Sequence, residues 1–168
     1  MTTHQSKNTV YLSLGSNIGD RVKYLSSATD ELESRPSITV IKESKIYETE
    51  PWPKDSKNDL FLNQVIKIET SLPPKKLLNL CRKIETQLGR KTKSDYKPRT
   101  IDVDILLFGD VILRTSDLQI PHKHINNRQF VLIPLLEVEP GVKDPISGEK
   151  YELILKNIKD EHKVEAYL

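Results

Sequence analysis

The 168-residue chain has one cysteine, one methionine, one tryptophan and only six glycines. A lone Cys81 excludes an intrachain disulfide and suits a reducing compartment, where a single thiol is usually a small apolar core residue. No apolar run approaches the roughly 20 residues that a membrane-spanning helix needs, and the polar start from Met1 to Asn8 lacks a signal-peptide pattern, so the cytoplasm is the expected location. The formal net charge is only +2, too small to argue for nucleic acid or an anionic membrane as partner. The sequence also lacks internal repeats, a P-loop G-x-x-x-x-G-K-[ST] and a G-x-G-x-x-G, so any nucleotide is held in some other way.

The rest suffices for one domain across residues 1–168, with a core over about 9–158. Apolar residues make up 36% and charged residues 30%, spread along the whole length. Val10 to Leu14 reads as a strand broken at Gly15-Ser16-Asn17, where residues that tolerate turns and cap helices precede a helical pattern of Val22, Leu25 and Leu32. Arg35-Pro36 ends that helix. Branched, alternating sequence from Ile38 to Tyr47 and from Phe61 to Thr70 predicts two neighbouring strands. Ser71 is a candidate N-cap for a second helix whose stripe is Leu77, Cys81, Ile84 and Leu88, closed by Gly89. Ile101 to Phe108 is a further strand, ending in a Gly109-Asp110 turn. Beyond Leu113 the sequence predicts loops and short helix, with an apolar patch from Phe130 to Val138 interrupted by Pro134 and a last helix at Leu153 to Ile158. The order strand, helix, strand, strand, helix, strand is the split βαβ arrangement of an α+β, ferredoxin-like βαββαβ sandwich, with both helices on one face of an antiparallel sheet and C-terminal additions. The other sheet face is then free for ligands, provided C-terminal segments and loops wall it in.

Three constellations carry chemistry. Asp102 and Asp104, two apart on a strand, project to one side about 6 to 7 Å apart. Their repulsion is on the order of 2 kcal/mol at an effective dielectric near 20, and hard dications relieve it. Oxygen ligands with room for water and phosphate suit magnesium better than zinc. The competing reading is a solvated strand edge. The preceding segment brings Arg90, Lys91, Lys93, Lys97 and Arg99, while His122 and Arg128 form a second cationic group that suits a polyphosphate. His122-x-His124 hints at zinc, but no thiolate or further His stands near it. Phe61 and Asn63 share one strand face, where a flat heterocycle can stack on the ring while the amide reads its edge, and Phe130 can close the sandwich. A sheet-face aromatic beside a basic segment also raises single-stranded RNA binding, but two aspartates on that face oppose a phosphate backbone and the RNP1 pattern is missing.

Taken together, Leu14-Gly15-Ser16-Asn17, Tyr47-Glu48-Thr49-Glu50-Pro51-Trp52, Phe61-Leu62-Asn63, Glu85 to Arg90, Pro98-Arg99-Thr100-Ile101-Asp102-Val103-Asp104-Ile105-Leu106 and Pro121-His122 through Arg128-Gln129-Phe130 resemble the 6-hydroxymethyl-7,8-dihydropterin pyrophosphokinases. The likeness spans roughly residues 9 to 158. It implies a monomeric enzyme of folate biosynthesis that transfers the pyrophosphoryl group of ATP to a pterin alcohol, with two Mg2+ ions on Asp102 and Asp104. It further implies that Thr49, Glu50, Trp52, Phe61, Asn63 and Phe130 hold the pterin and that Glu85, Arg90, Arg99, Ile105, His122 and Arg128 contact ATP. The same resemblance implies that Arg90 and Arg99 are the catalytic arginines of a closing lid, alongside the catalytic Asp102 and Asp104. The chain departs from many relatives at Thr92, at Asp95-Tyr96-Lys97, at Lys123 and at Arg82.

Overall fold

The computed structural model describes residues 5–54, 57–91 and 98–167. Strand β1 (Asn8–Ser16) leads to α1 (Arg21–Glu33), then come β2 (Ile38–Glu43), β3 (Tyr47–Thr49), β4 (Phe61–Thr70), α2 (Pro74–Gln87) and β5 (Asp102–Phe108). After two short strands, β6 (Leu113–Arg114) and β7 (Gln119–Ile120), follow α3 (Gln129–Val138), α4 (Tyr151–Asn157) and a last strand β8 (Val164–Ala166). The main sheet runs β5-β1-β4-β3-β8, with β2 on the same edge of β4 as β3, and these pairings are antiparallel.

One sheet face packs on α1 and α2 through Leu12, Leu14, Leu25, Leu32, Ile66, Ile68, Leu77, Cys81 and Ile84, all without exposed surface. The α2 stripe read from the sequence is thus its buried face. Burial of this kind stabilises by about 25 cal/mol per Å² of apolar area. Cys81 sits in that core, and burial pushes its thiol pKa up, which leaves it inert.

C-terminal segments wall in the second face, as the ligand-binding reading required. Tyr11, Val65, Leu106 and Leu107 form another buried cluster with Ile125, Val131, Leu132, Leu135 and Tyr151, so α3 and α4 roof part of it. The reason is that α3 is a continuous helix through Pro134. Proline removes an intrahelical hydrogen bond there, but Val131, Leu132, Pro134, Leu135 and Val138 are all buried, and that packing holds the helix. Two local expectations also change. The stretch from Ile38 to Tyr47 divides into β2 and β3 because the Ser44 hydroxyl accepts the Val65 N–H at 3.0 Å, taking a ladder position that a backbone carbonyl would otherwise fill. Helix α2 begins at Pro74 with no side-chain cap from Ser71, since proline at the first helical position needs no partner for a missing N–H.

Candidate active site

Sheet register builds the site. Gly15 of β1 lies opposite Asn63 of β4 on one side and opposite Asp102 of β5 on the other, so Asn63, Gly15 and Asp102 form one row across three strands. Ser13 opposes Asp104 in the next row along β1 and β5. A Cβ at Gly15 would stand 3.0 Å from Asn63 Oδ1 and 3.8 Å from the Phe61 ring. The glycine therefore keeps the floor low between the amide and the carboxylates.

A cavity of about 270 Å³ lies over this floor, in the part of the sheet face that α3 leaves uncovered. Its wall includes Thr49, Glu50, Trp52, Phe61, Asn63, Arg90, Arg99, Asp102, Asp104, His122, Arg128 and Phe130, twelve of the fourteen residues the sequence nominated. The other two lie behind it. Ile105 is in the core against α1 and α2 and offers a ligand main-chain atoms only. Glu85 is 6% exposed, accepts the Val103 N–H at 2.9 Å and holds Arg90 at 3.1 Å. It fixes β5 and Arg90 from the rear rather than facing the cavity. Burial, only partly opposed by Val103 and Arg90, raises its pKa to about 7.

At the anionic end, Asp102 is gripped on both oxygens, by Arg90 at 2.5 Å and Arg99 at 2.8 Å. Burial first and the Asp104 charge second nevertheless raise its carboxyl to about 6, against the pull of both arginines. Asp104 is solvent-exposed on the cavity side. Among the described residues no three His, Cys, Asp or Glu side chains converge as a metal cage. A bound dication would therefore rest on the two aspartates, with water and substrate oxygens completing its shell.

At the other end, Asn63 Nδ2 donates to Thr49 Oγ1 at 2.6 Å, with both residues buried. Arg99 lies over the Phe61 ring at 5.6 Å, and Arg128 lies over both Trp52 at 5.1 Å and Phe130 at 5.6 Å. Flat cationic groups already stack on the rings expected to receive a heterocycle. His122 is held near 4, chiefly by burial and then by Arg128 and Lys123, and its Nδ1 accepts the His124 N–H at 3.2 Å. It is a neutral imidazole whose Nε2–H remains a donor. Lys93, Lys97 and the Thr92 and Asp95–Lys97 departures lie outside the described residues. Ser13, Gly15, Leu106, Lys123, His124 and Val131 also line the cavity without having been assigned to it. Alternation on β1 and β5 was the available signal for the first three, but only the register tells which faces meet.

A sequence profile of the family described as 7,8-dihydro-6-hydroxymethylpterin-pyrophosphokinase (HPPK) matches residues 11–140, most of the chain and every residue of the cavity wall. The chain belongs to this family. Two relatives, each described as 2-amino-4-hydroxy-6-hydroxymethyldihydropteridine pyrophosphokinase, are similar along most of their length. One, from Aquifex aeolicus, is 42% identical over 159 residues, which is 95% of this chain and 95% of the relative. The other, from Bacillus subtilis, is 45% identical over 143 residues, covering 84% and 85% respectively. Among solved structures, a triple-mutant Plasmodium falciparum HPPK-DHPS superposes with a TM-score of 0.73 at 17% identity over 99% of this chain. This chain spans about half (49%) of that solved chain, and the likeness to it is one of fold, the ferredoxin-like fold of the HPPK family.

Proposed function

We infer that this HPPK-family chain transfers the pyrophosphoryl group of ATP to the hydroxymethyl group of 6-hydroxymethyl-7,8-dihydropterin, releasing AMP and the pterin diphosphate for folate biosynthesis. One observation carries the reading. A single cavity joins a carboxylate pair ringed by arginines to a slot made of Phe61, Asn63, Thr49 and Phe130. The first suits a polyphosphate and the second a flat, hydrogen-bonding heterocycle.

The acceptor hydroxyl attacks the β-phosphorus, the bond from the β-phosphorus to the oxygen bridging it to the α-phosphorus breaks, and AMP leaves with that oxygen. Such a reaction needs alignment and charge neutralisation more than covalent help. Asn63 and Thr49, already bonded to each other, read the edge of the pterin, while Phe61 and Phe130 flank its faces, with Trp52 and the main chain at Glu50 as side wall. Arg90 and Arg99 transfer their grip from Asp102 to phosphate oxygens, and Arg128 and the neutral His122 donate to others. Asp102 and Asp104 fit a magnesium site by their oxygen donors and their shared strand face. Two Mg2+ ions held there would neutralise charge on the phosphates and polarise them for attack. We further assign a monomeric, cytoplasmic protein, a location compatible with the absence, among the described residues, of any helix long and apolar enough to cross a membrane.

Incubation with Mg-ATP and the hydroxymethyl dihydropterin tests the reading: AMP and the pterin diphosphate are the expected products, and ADP or no turnover overturns it. A panel of other pterins and alcohols checks the acceptor. Single-stranded RNA loses its main support because α3 and α4 cover part of the sheet face that it would use.

A further inference from the structure

The segment after α4, beyond the family match at residue 140, reaches back to the cavity. Strand β8 pairs with β3, placing Val164 opposite Thr49. Glu50 and Lys163 exchange two bonds, Glu50 N–H to the Lys163 carbonyl at 3.2 Å and Lys163 N–H to Glu50 Oε2 at 3.0 Å. Between α4 and β8 stand Asp160 and His162. The His162 imidazole stacks on the Trp52 ring, with centroids 4.7 Å apart and planes 28° from parallel. Its Nδ1 lies 2.5 Å from Asp160 Oδ1. The Asp160 side chain is 1% exposed and that of His162 9%.

Asp160 works in two directions. Its other oxygen accepts the Gln129 N–H at 2.9 Å, at the first residue of α3, one position before Phe130. Gln129 in turn donates its side-chain amide to the His162 carbonyl. The dyad therefore connects two walls of the cavity, Trp52 on one side and Phe130 on the other, whose rings sit 6.4 Å apart at 53°. A carboxylate can only accept, so Nδ1 carries the proton and the plane of the imidazole is fixed. Its Nε2 is buried without a partner among the described residues, so the hydrogen bond that orients the ring is the one at Nδ1.

We propose that His162, oriented by Asp160, is a positioning residue for the pterin site: it backs Trp52 and sets the angle of that ring against Phe130. The inference rests on the assignment of this cavity to the pterin. Trp52 is the only tryptophan, so the emission comes from this ring and reports its surroundings, His162 among them.

The test compares wild type with His162→Ala, His162→Phe and Asp160→Asn. The reduced hydroxymethyl pterin is titrated with Mg2+ and a non-hydrolysable ATP analogue present, following Trp52 emission, and calorimetry with the analogue alone reads nucleotide affinity. Losing an aromatic contact predicts roughly tenfold weaker pterin binding in His162→Ala. Nucleotide affinity stays within about twofold of wild type, and the Trp52 emission maximum shifts even without ligand. His162→Phe keeps a ring behind Trp52 and recovers most of the pterin affinity, whereas Asp160→Asn falls between. Unchanged pterin affinity and unchanged emission in His162→Ala overturn the proposal, as does an equal loss for pterin and nucleotide, which marks a merely structural clamp. Absence of pterin binding in the wild type instead overturns the assignment of the cavity itself.

Discussion

Asn17 and Arg99 hold each other by their main chains and one side chain: Arg99 N–H donates to Asn17 Oδ1 at 2.8 Å, and Asn17 N–H donates to the Arg99 carbonyl at 3.2 Å. Asn17 is 2% exposed and does not cap α1, a task taken by Asp20 through the Lys23 N–H. The turn after β1 thus sets where Arg99 leaves the chain toward Asp102. Asn17→Ala should lower kcat by on the order of tenfold or more, because misplacing a clamp by about 1 Å is costly. It should cost about 1 to 3 kcal/mol of stability for the lost buried hydrogen bond. A double-mutant cycle with Arg99→Ala checks this, and strictly additive effects on turnover would refute the coupling.

Gly15→Ala places a methyl 3.0 Å from Asn63 Oδ1 and in contact with Phe61. The expected outcome is a KM for the pterin raised by roughly tenfold or more, with the KM for ATP changed much less, since disturbing one polar contact and one stacking surface is worth about 1.4 kcal/mol or more. Steady-state kinetics with each substrate varied separately provide the check.

Asp104 is exposed and makes no part of the core. Asp104→Asn should therefore lose turnover by orders of magnitude while its melting temperature in metal-free buffer stays near that of wild type. With one negative neighbour gone, Asp102 should also titrate below its present value of about 6. Near-normal turnover would remove Asp104 from the metal assignment, and so would turnover that survives chelation of Mg2+.

His122 is a pH-dependent element of stability. Its pKa is lowered to about 4 in the fold by burial, Arg128 and Lys123, against about 6.5 in an unfolded chain. Between those values the unfolded state binds the extra proton, so stability rises with pH there and is lost as pH falls from about 6.5 through about 4. Relative to pH 7, the wild type should lose on the order of 1 to 2 kcal/mol more at pH 5 than His122→Gln does. Urea unfolding of both proteins at the two pH values measures the difference. Equal slopes would mean that the imidazole already protonates in the folded state.

Much of this was legible because local patterns repeat. Leu77, Cys81 and Ile84 mark a helix face by spacing alone, and Asp102 with Asp104 must share a strand side because side chains alternate. The split of Ile38 to Tyr47 was not legible, since it depends on one Ser44 hydroxyl meeting Val65 across the sheet. Nor was α3, where burial of its neighbours outweighs the local cost of Pro134. The resemblance assigned Glu85 to ATP, and only packing against β5 brought its carboxylate to Val103 N–H and Arg90.

By itself the sequence determined the long elements β1, α1, β4, α2 and β5 and which of their side chains share a face, because those follow from backbone geometry within a few residues. It also carried the family motifs, and with them the chemistry to look for. The tertiary structure alone decided the register that sets Asn63, Gly15 and Asp102 in one row, the closing of part of the sheet face by α3 and α4, and the return of Asp160 and His162 to the back of Trp52. Those relationships join residues far apart in the chain, such as Gly15 with Asp102 and Trp52 with His162, and their energies come from burial and hydrogen bonds that exist only once the chain has folded back on itself.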